Sequence, residues 1–156
     1  MKQLRIAHLI ISSLLVFAMA AALLIVAPFA DRALGYGAHC QDPSPPSWFN
    51  VRLKAAAETS GDGVPTSWGS SVDMARIACF ESTFRTSAQN GQYFGLTQMN
   101  RTSVENASVS WHCYTVYEGC TKPRGYHQLL AALRYADSRY GSPAKGWKHI
   151  RENNWW

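Results

Sequence analysis

Residues 6–30 contain no Lys, Arg, Asp or Glu. An apolar run extends from Leu9 to Ala27, broken only by Ser12 and Ser13. A helix built from this stretch has no charged face to turn toward water, so it does not belong on the surface of a soluble domain. Lys2 and Arg5 precede it and small residues follow it, which is the build of an export segment. Two outcomes stay open. The segment is removed as a signal, with a cleavage site at Ala33-Leu34-Gly35. Otherwise it stays as a membrane anchor, being about as long as a bilayer is thick. In both, the rest of the chain lies outside the cytoplasm, secreted or held at the cell envelope. Residues 1–35 are accordingly set apart as signal or anchor, and 36–47, rich in Gly, Pro and Ser, as a linker. Residues 48–156 form the working domain.

Export changes the charge balance. The whole chain carries 15 Lys+Arg against 10 Asp+Glu. From Tyr36 onward the excess is only +3, with no basic run, which argues against a nucleic-acid partner. Contact with a membrane is expected only if the first segment is retained, and the domain is expected to be a monomer. All four cysteines, Cys40, Cys79, Cys113 and Cys120, follow the apolar run. An even number in an exported domain reads as two disulfides. Of three pairings, the preferred one closes the short Cys113–Cys120 loop and ties Cys40 to Cys79. A zinc site from His112, Cys113, Cys120 and His127 fits no common ligand spacing, so no metal and no cofactor is expected.

Periodicity predicts a mainly α domain with little or no sheet. The first helix spans Trp48–Glu58 behind a Ser47 cap. The second runs from a Thr66 or Ser67 cap to about Glu81, with an apolar stripe of Trp68, Val72, Ala75 and Cys79 and an adjoining stripe of Met74, Ile77 and Glu81. Residues 85–95 read as loop, Leu96 to about Val104 as a short helix, and 106–124 as irregular. A helix over 126–140 buries Leu129, Leu130, Leu133, Ala136 and Tyr140 and stops at Gly141. Pro143 opens a last helix carrying Trp147 and Ile150. Trp68, Trp147 and Trp155 are expected in the core.

The chemistry concentrates in Cys79-Phe80-Glu81-Ser82-Thr83-Phe84 and in Asn90-Gly91-Gln92-Tyr93-Phe94-Gly95-Leu96-Thr97-Gln98-Met99. Glu81 sits where a helix ends, beside aromatic residues. Burial and the partial negative charge of the helix end both disfavour its ionisation. A carboxyl still protonated near neutrality can give its proton to a leaving oxygen. Ser82, Asn90, Tyr93 and Gln98 offer the neutral hydrogen bonds that hold a sugar.

Glu-Ser-x-Phe, a loop with Asn-Gly, and then Gly-Leu-x-Gln-Met resembles the catalytic segment of lytic transglycosylases of the soluble-lytic-transglycosylase type. The run from Leu133 to Trp147, with Trp155-Trp156, is similar to the last helices of small secreted actinobacterial and phage members. The resemblance covers about 50–156 and implies a lysozyme-like fold. It sets Glu81 on the catalytic acid/base and Ser82 on the serine beside it. Gly95, Leu96 and Gln98 fall on the turn that lines the substrate cleft. Thr97 replaces the usual Met, and the family's later Ala-Tyr-Asn-Ala-Gly segment is absent. Tyr135 and Tyr140 are the candidates for its phenol. The implied substrate and partner is the glycan strand of peptidoglycan. Glu81 would protonate the bond between N-acetylmuramic acid and N-acetylglucosamine, then take the C6 hydroxyl proton as a 1,6-anhydro ring closes. A hydrolytic muramidase and a weakly active wall-binding accessory protein are the competing expectations.

Overall fold

A computed structural model describes residues 39–61 and 63–156. The expected signal or anchor therefore lies outside the described residues. Among the described residues, no helix is long and apolar enough to cross a membrane.

The domain is mainly helical. Helix α1 spans Ser47–Thr59. A 3-10 turn over Thr66–Ser70 leads to α2, Val72–Ser82. Two short strands follow, β1 (Gln89–Asn90) and β2 (Tyr93–Phe94), paired antiparallel with Gln89 opposite Phe94. Helices α3 (Arg101–Asn106), α4 (Trp111–Thr115), α5 (Arg124–Tyr140) and α6 (Pro143–Asn153) complete the order.

Helix α5 is the central element, packing against α1, α4 and α6. Gly125, Leu129, Ala132, Leu133 and Ala136 put small and branched side chains on its buried side. That mixture lets neighbouring helices approach closely while still filling the core. Phe49 and Leu53 of α1, Met74 and Ile77 of α2, and Ile150 of α6 meet there, all at 1% exposure or less. Gly141, at φ 76°, ends α5, and Ser142 caps α6 by accepting from Lys145 N at 3.2 Å.

Several expected boundaries move. Pro46, not Ser47, is the first cap, and its carbonyl accepts from Phe49 N at 2.8 Å. The second helix is broken at Ser71. An extended ψ of 115° there separates the 3-10 turn from α2, and Ser71 Oγ then caps α2 by accepting from Met74 N. The buried side of α2 is Met74, Ala75, Ile77, Ala78 and Cys79, whereas Val72 of the expected stripe is 48% exposed. The helix expected from Leu96 starts only at Arg101, because the turn at Gln98 has φ 45°. The stretch 85–95 contains the hairpin, and the stretch 106–124 contains α4. The described part of the linker also packs: Cys40 is 1% exposed, and Gln41 O accepts from Arg76 Nε at 2.8 Å.

Two disulfides are present, Cys40–Cys79 and Cys113–Cys120, in the preferred pairing. The first ties the segment before α1 to α2, and the second closes the loop after α4. Both fit an oxidising compartment.

Candidate active site

Glu81 lies one residue before the end of α2, where Thr83 turns the chain into the left-handed region at φ 54°. Its carboxyl faces a cleft of about 700 Å³. Burial alone pushes that carboxyl from 4.5 up to about 7. A group at that value is half protonated at neutral pH, which suits both giving and taking a proton. Among the described residues, no second carboxylate lines the cleft. Asp73 pairs with Arg76 at 2.9 Å at the start of α2, and Glu105 pairs with Arg101 at 2.7 Å.

One wall of the cleft comes from the hairpin and the loop before it, with Gln89, Asn90 and Tyr93. Tyr93 is 42% exposed, so its ring is available to a ligand. Gln98 also reaches the cleft, and its Nε2 donates to Gly95 O at 2.9 Å and Ala88 O at 3.2 Å. Those bonds leave its amide oxygen as an acceptor while fixing the side chain's direction.

The turn at Gly95–Gln98 is held from below. Ser82 is 3% exposed, and its Oγ lies 2.9 Å from Leu96 O and 3.1 Å from Ala78 O. Leu96 is fully buried. Ser82 and Leu96, both expected to touch substrate, thus support the turn from inside and do not line the cleft. Gly95 is buried as well, at φ 82°. A Cβ there would sit 2.5 Å from Gln128 Nε2, so the position excludes any side chain.

Gln128 is a residue that the sequence reading missed. It projects from α5 and is fully buried. Its Oε1 accepts from Leu96 N at 3.0 Å, and its Nε2 donates to Thr86 O and Tyr114 O, both at 2.9 Å. One amide thereby ties the loop after α2, the cleft turn and α4 to the central helix. The available signal was a Gln set among the apolar residues of the longest described helix. Tyr114, also fully buried, donates from its hydroxyl to Phe94 O at 2.8 Å, and burial pushes its pKa well above the usual phenol range.

The opposite wall is Asn154, Trp155 and Trp156, which follow α6. Trp155 was expected in the core but is 47% exposed. Its ring stands edge-on to His149 at 4.4 Å, and the Arg139 guanidinium lies 5.5 Å from it. Trp156 Nε1 donates to Thr97 O at 2.7 Å, joining this wall to the cleft turn. Tyr135 and Tyr140 lie behind Trp156, with ring centroids 5.2 and 6.2 Å away. They back the wall, and neither lines the cleft. Of the other expected core tryptophans, Trp147 is 3% exposed and Trp68 is half-buried.

The residues weighed as zinc ligands are also partly assembled. Cys113, Cys120 and His127 bring their donor atoms within 4.8 Å of one another, but both sulfurs belong to the disulfide. His112 Nε2 lies 2.7 Å from Glu118 O instead. The domain thus gathers one carboxyl of raised pKa, several neutral amides and exposed aromatic rings in a single cleft. No family model, curated protein or solved structure matches the chain.

Proposed function

We propose that this protein is an exported lytic transglycosylase of lysozyme-like fold that cuts the glycan strands of peptidoglycan. The observation that carries the reading is the single carboxyl in the cleft, raised by burial to about 7. Neutral hydrogen-bonding groups and exposed rings around it suit a polyhydroxylated chain.

Protonated Glu81 gives its proton to the oxygen between N-acetylmuramic acid and N-acetylglucosamine, and the C1–O bond breaks. The substrate's own acetamido group stabilises the positive carbon. Glu81, now a carboxylate, takes the C6 hydroxyl proton as O6 bonds to C1. A 1,6-anhydro ring forms, Glu81 is protonated again, and no water enters the product. One carboxyl suffices for this sequence. Hydrolysis through two carboxylates requires a partner at a defined separation, and none lines this cleft among the described residues. Asn90 and Gln98 are placed to hold the sugar, with Ser82, Gln128 and the Gly95–Leu96 turn keeping Gln98 in position.

Mass spectrometry of digested cell wall tests the proposal. Anhydro-muramic ends are expected with the wild type and none with Glu81→Gln. Reducing muramic ends would point to a hydrolytic muramidase. Unchanged biological activity in Glu81→Gln, with no cutting by either protein, would point to a wall-binding accessory role.

A further inference from the structure

Arg85 and Trp155 line the cleft and have no part in the steps proposed above. Arg85 follows α2 closely, and its Nε donates to Ser82 O at 3.0 Å. That bond fixes the root of the guanidinium, and among the described residues its terminal nitrogens make no hydrogen bond. Among the described residues, no carboxylate lies within ion-pair distance of it; the ion pairs present involve Arg76, Arg101 and Lys148. Nor does Arg85 hold the Glu81 carboxyl ionised, since burial is the only cause of that group's shift. The cleft therefore contains one cation without an internal partner. It also has one exposed indole face, Trp155, which Arg139 and His149 hold in place.

These two features ask for a ligand with a stackable sugar face and a negative charge. A guanidinium recognises a carboxylate through parallel N–H···O bonds, which an amide in the same place cannot reproduce. We propose that the cleft selects glycan strands whose muramic acid lactyl carboxylate is free, with that carboxylate on Arg85 and a sugar ring on Trp155. This inference rests on the peptidoglycan reading above and names its substrate class: strands stripped of stem peptide. In strands that still bear peptide, the lactyl group is an amide and carries no charge. The reaction that must supply this substrate is therefore hydrolysis of the bond between lactyl group and stem peptide.

Binding and cutting are measured separately, with peptide-free strands and with strands of equal length still carrying stem peptide. Binding is read on Glu81→Gln by tryptophan fluorescence, and cutting on the wild type by anhydro-end formation. Peptide-free strands are expected to bind about tenfold more tightly and to be cut correspondingly faster. Adding Arg85→Gln removes the preference, and Arg85→Lys keeps part of it. Trp155→Ala weakens both ligands alike. Circular dichroism of each variant checks the fold. If both strands bind and are cut alike, the substrate class is wrong and the cutting activity stands. If peptide-free strands bind preferentially but are not cut, the substrate class stands and the transglycosylase reading fails. If neither strand binds, both fail.

Discussion

Glu81 couples its own protonation to folding. An acid whose folded pKa lies above its unfolded value binds its proton more tightly when folded. Stability therefore falls as pH rises from about 4.5 to about 7, and Glu81 alone accounts for about 3 kcal/mol over that window. Glu81→Gln removes the dependence. The variant is expected to melt above the wild type at pH 8 and close to it at pH 4, and a pH-independent difference would contradict the burial of this carboxyl. Under the proposed mechanism, kcat/KM is expected to fall above pH 7 as the acid loses its proton. Gln128 is a second side chain on which the fold depends. Gln128→Leu leaves Leu96 N, Thr86 O and Tyr114 O without their partner inside the core. A loss of roughly 3–5 kcal/mol in chemical denaturation is expected. Gly95→Ala strikes the same amide from the other side and is expected to cost a similar amount. Glu81 was legible in the sequence because a short motif surrounds it. Gln128 was not, because a lone Gln in a helix normally faces water.

Among the elements, legibility followed length and period. Helix α5, with 17 residues, spans nearly five turns, so its apolar side was plain in the sequence. Helix α4 has five residues, too few to display a period, and the stretch holding it read as irregular. The break at Ser71 was hidden because the 3-10 turn and α2 carry apolar residues at compatible spacing, and Ser71 marks a cap only once the chain is seen to turn. The two disulfides differ in how much chain they close. Cys40–Cys79 spans 39 residues and Cys113–Cys120 spans 7. Loop-closure entropy gives about 4 kcal/mol for the longer link and about 2 kcal/mol for the shorter. Replacing each pair by alanine is expected to lower the denaturation midpoint in that order. The reverse order would mean that the segment before α1 contributes little to holding α2.

For the whole molecule, the cleft is a meeting of segments far apart in the chain. Glu81 comes from α2, Asn90 and Tyr93 from the hairpin, Gln98 from the turn after it, and the far wall from residues beyond α6. The sequence exposed the first three because they fall within twenty residues of one another. It concealed the fourth, because Trp155 sits at a helix spacing that also fits a core, and an indole reads as core until its exposure is known. Trp156 is the piece that closes this arrangement. Its Nε1–H reaches Thr97 O, its ring packs on Tyr135 and Tyr140 of α5, and it lies over Gly146 of α6 together with Ile77 of α2. Two substitutions separate these contacts. Trp156→Phe keeps a ring but loses the hydrogen bond to the turn, at a cost of about 1 kcal/mol. Trp156→Ala removes the ring as well and is expected to cost about 3 kcal/mol in total. Because Gln98 sits on the turn that Trp156 holds, both variants are expected to raise KM for glycan strands, the alanine more. The activity limb near pH 7 should remain, since Glu81 stays on α2. A Trp156→Ala protein with unchanged melting temperature and unchanged KM would remove residues 154–156 from the cleft and leave it open on that side.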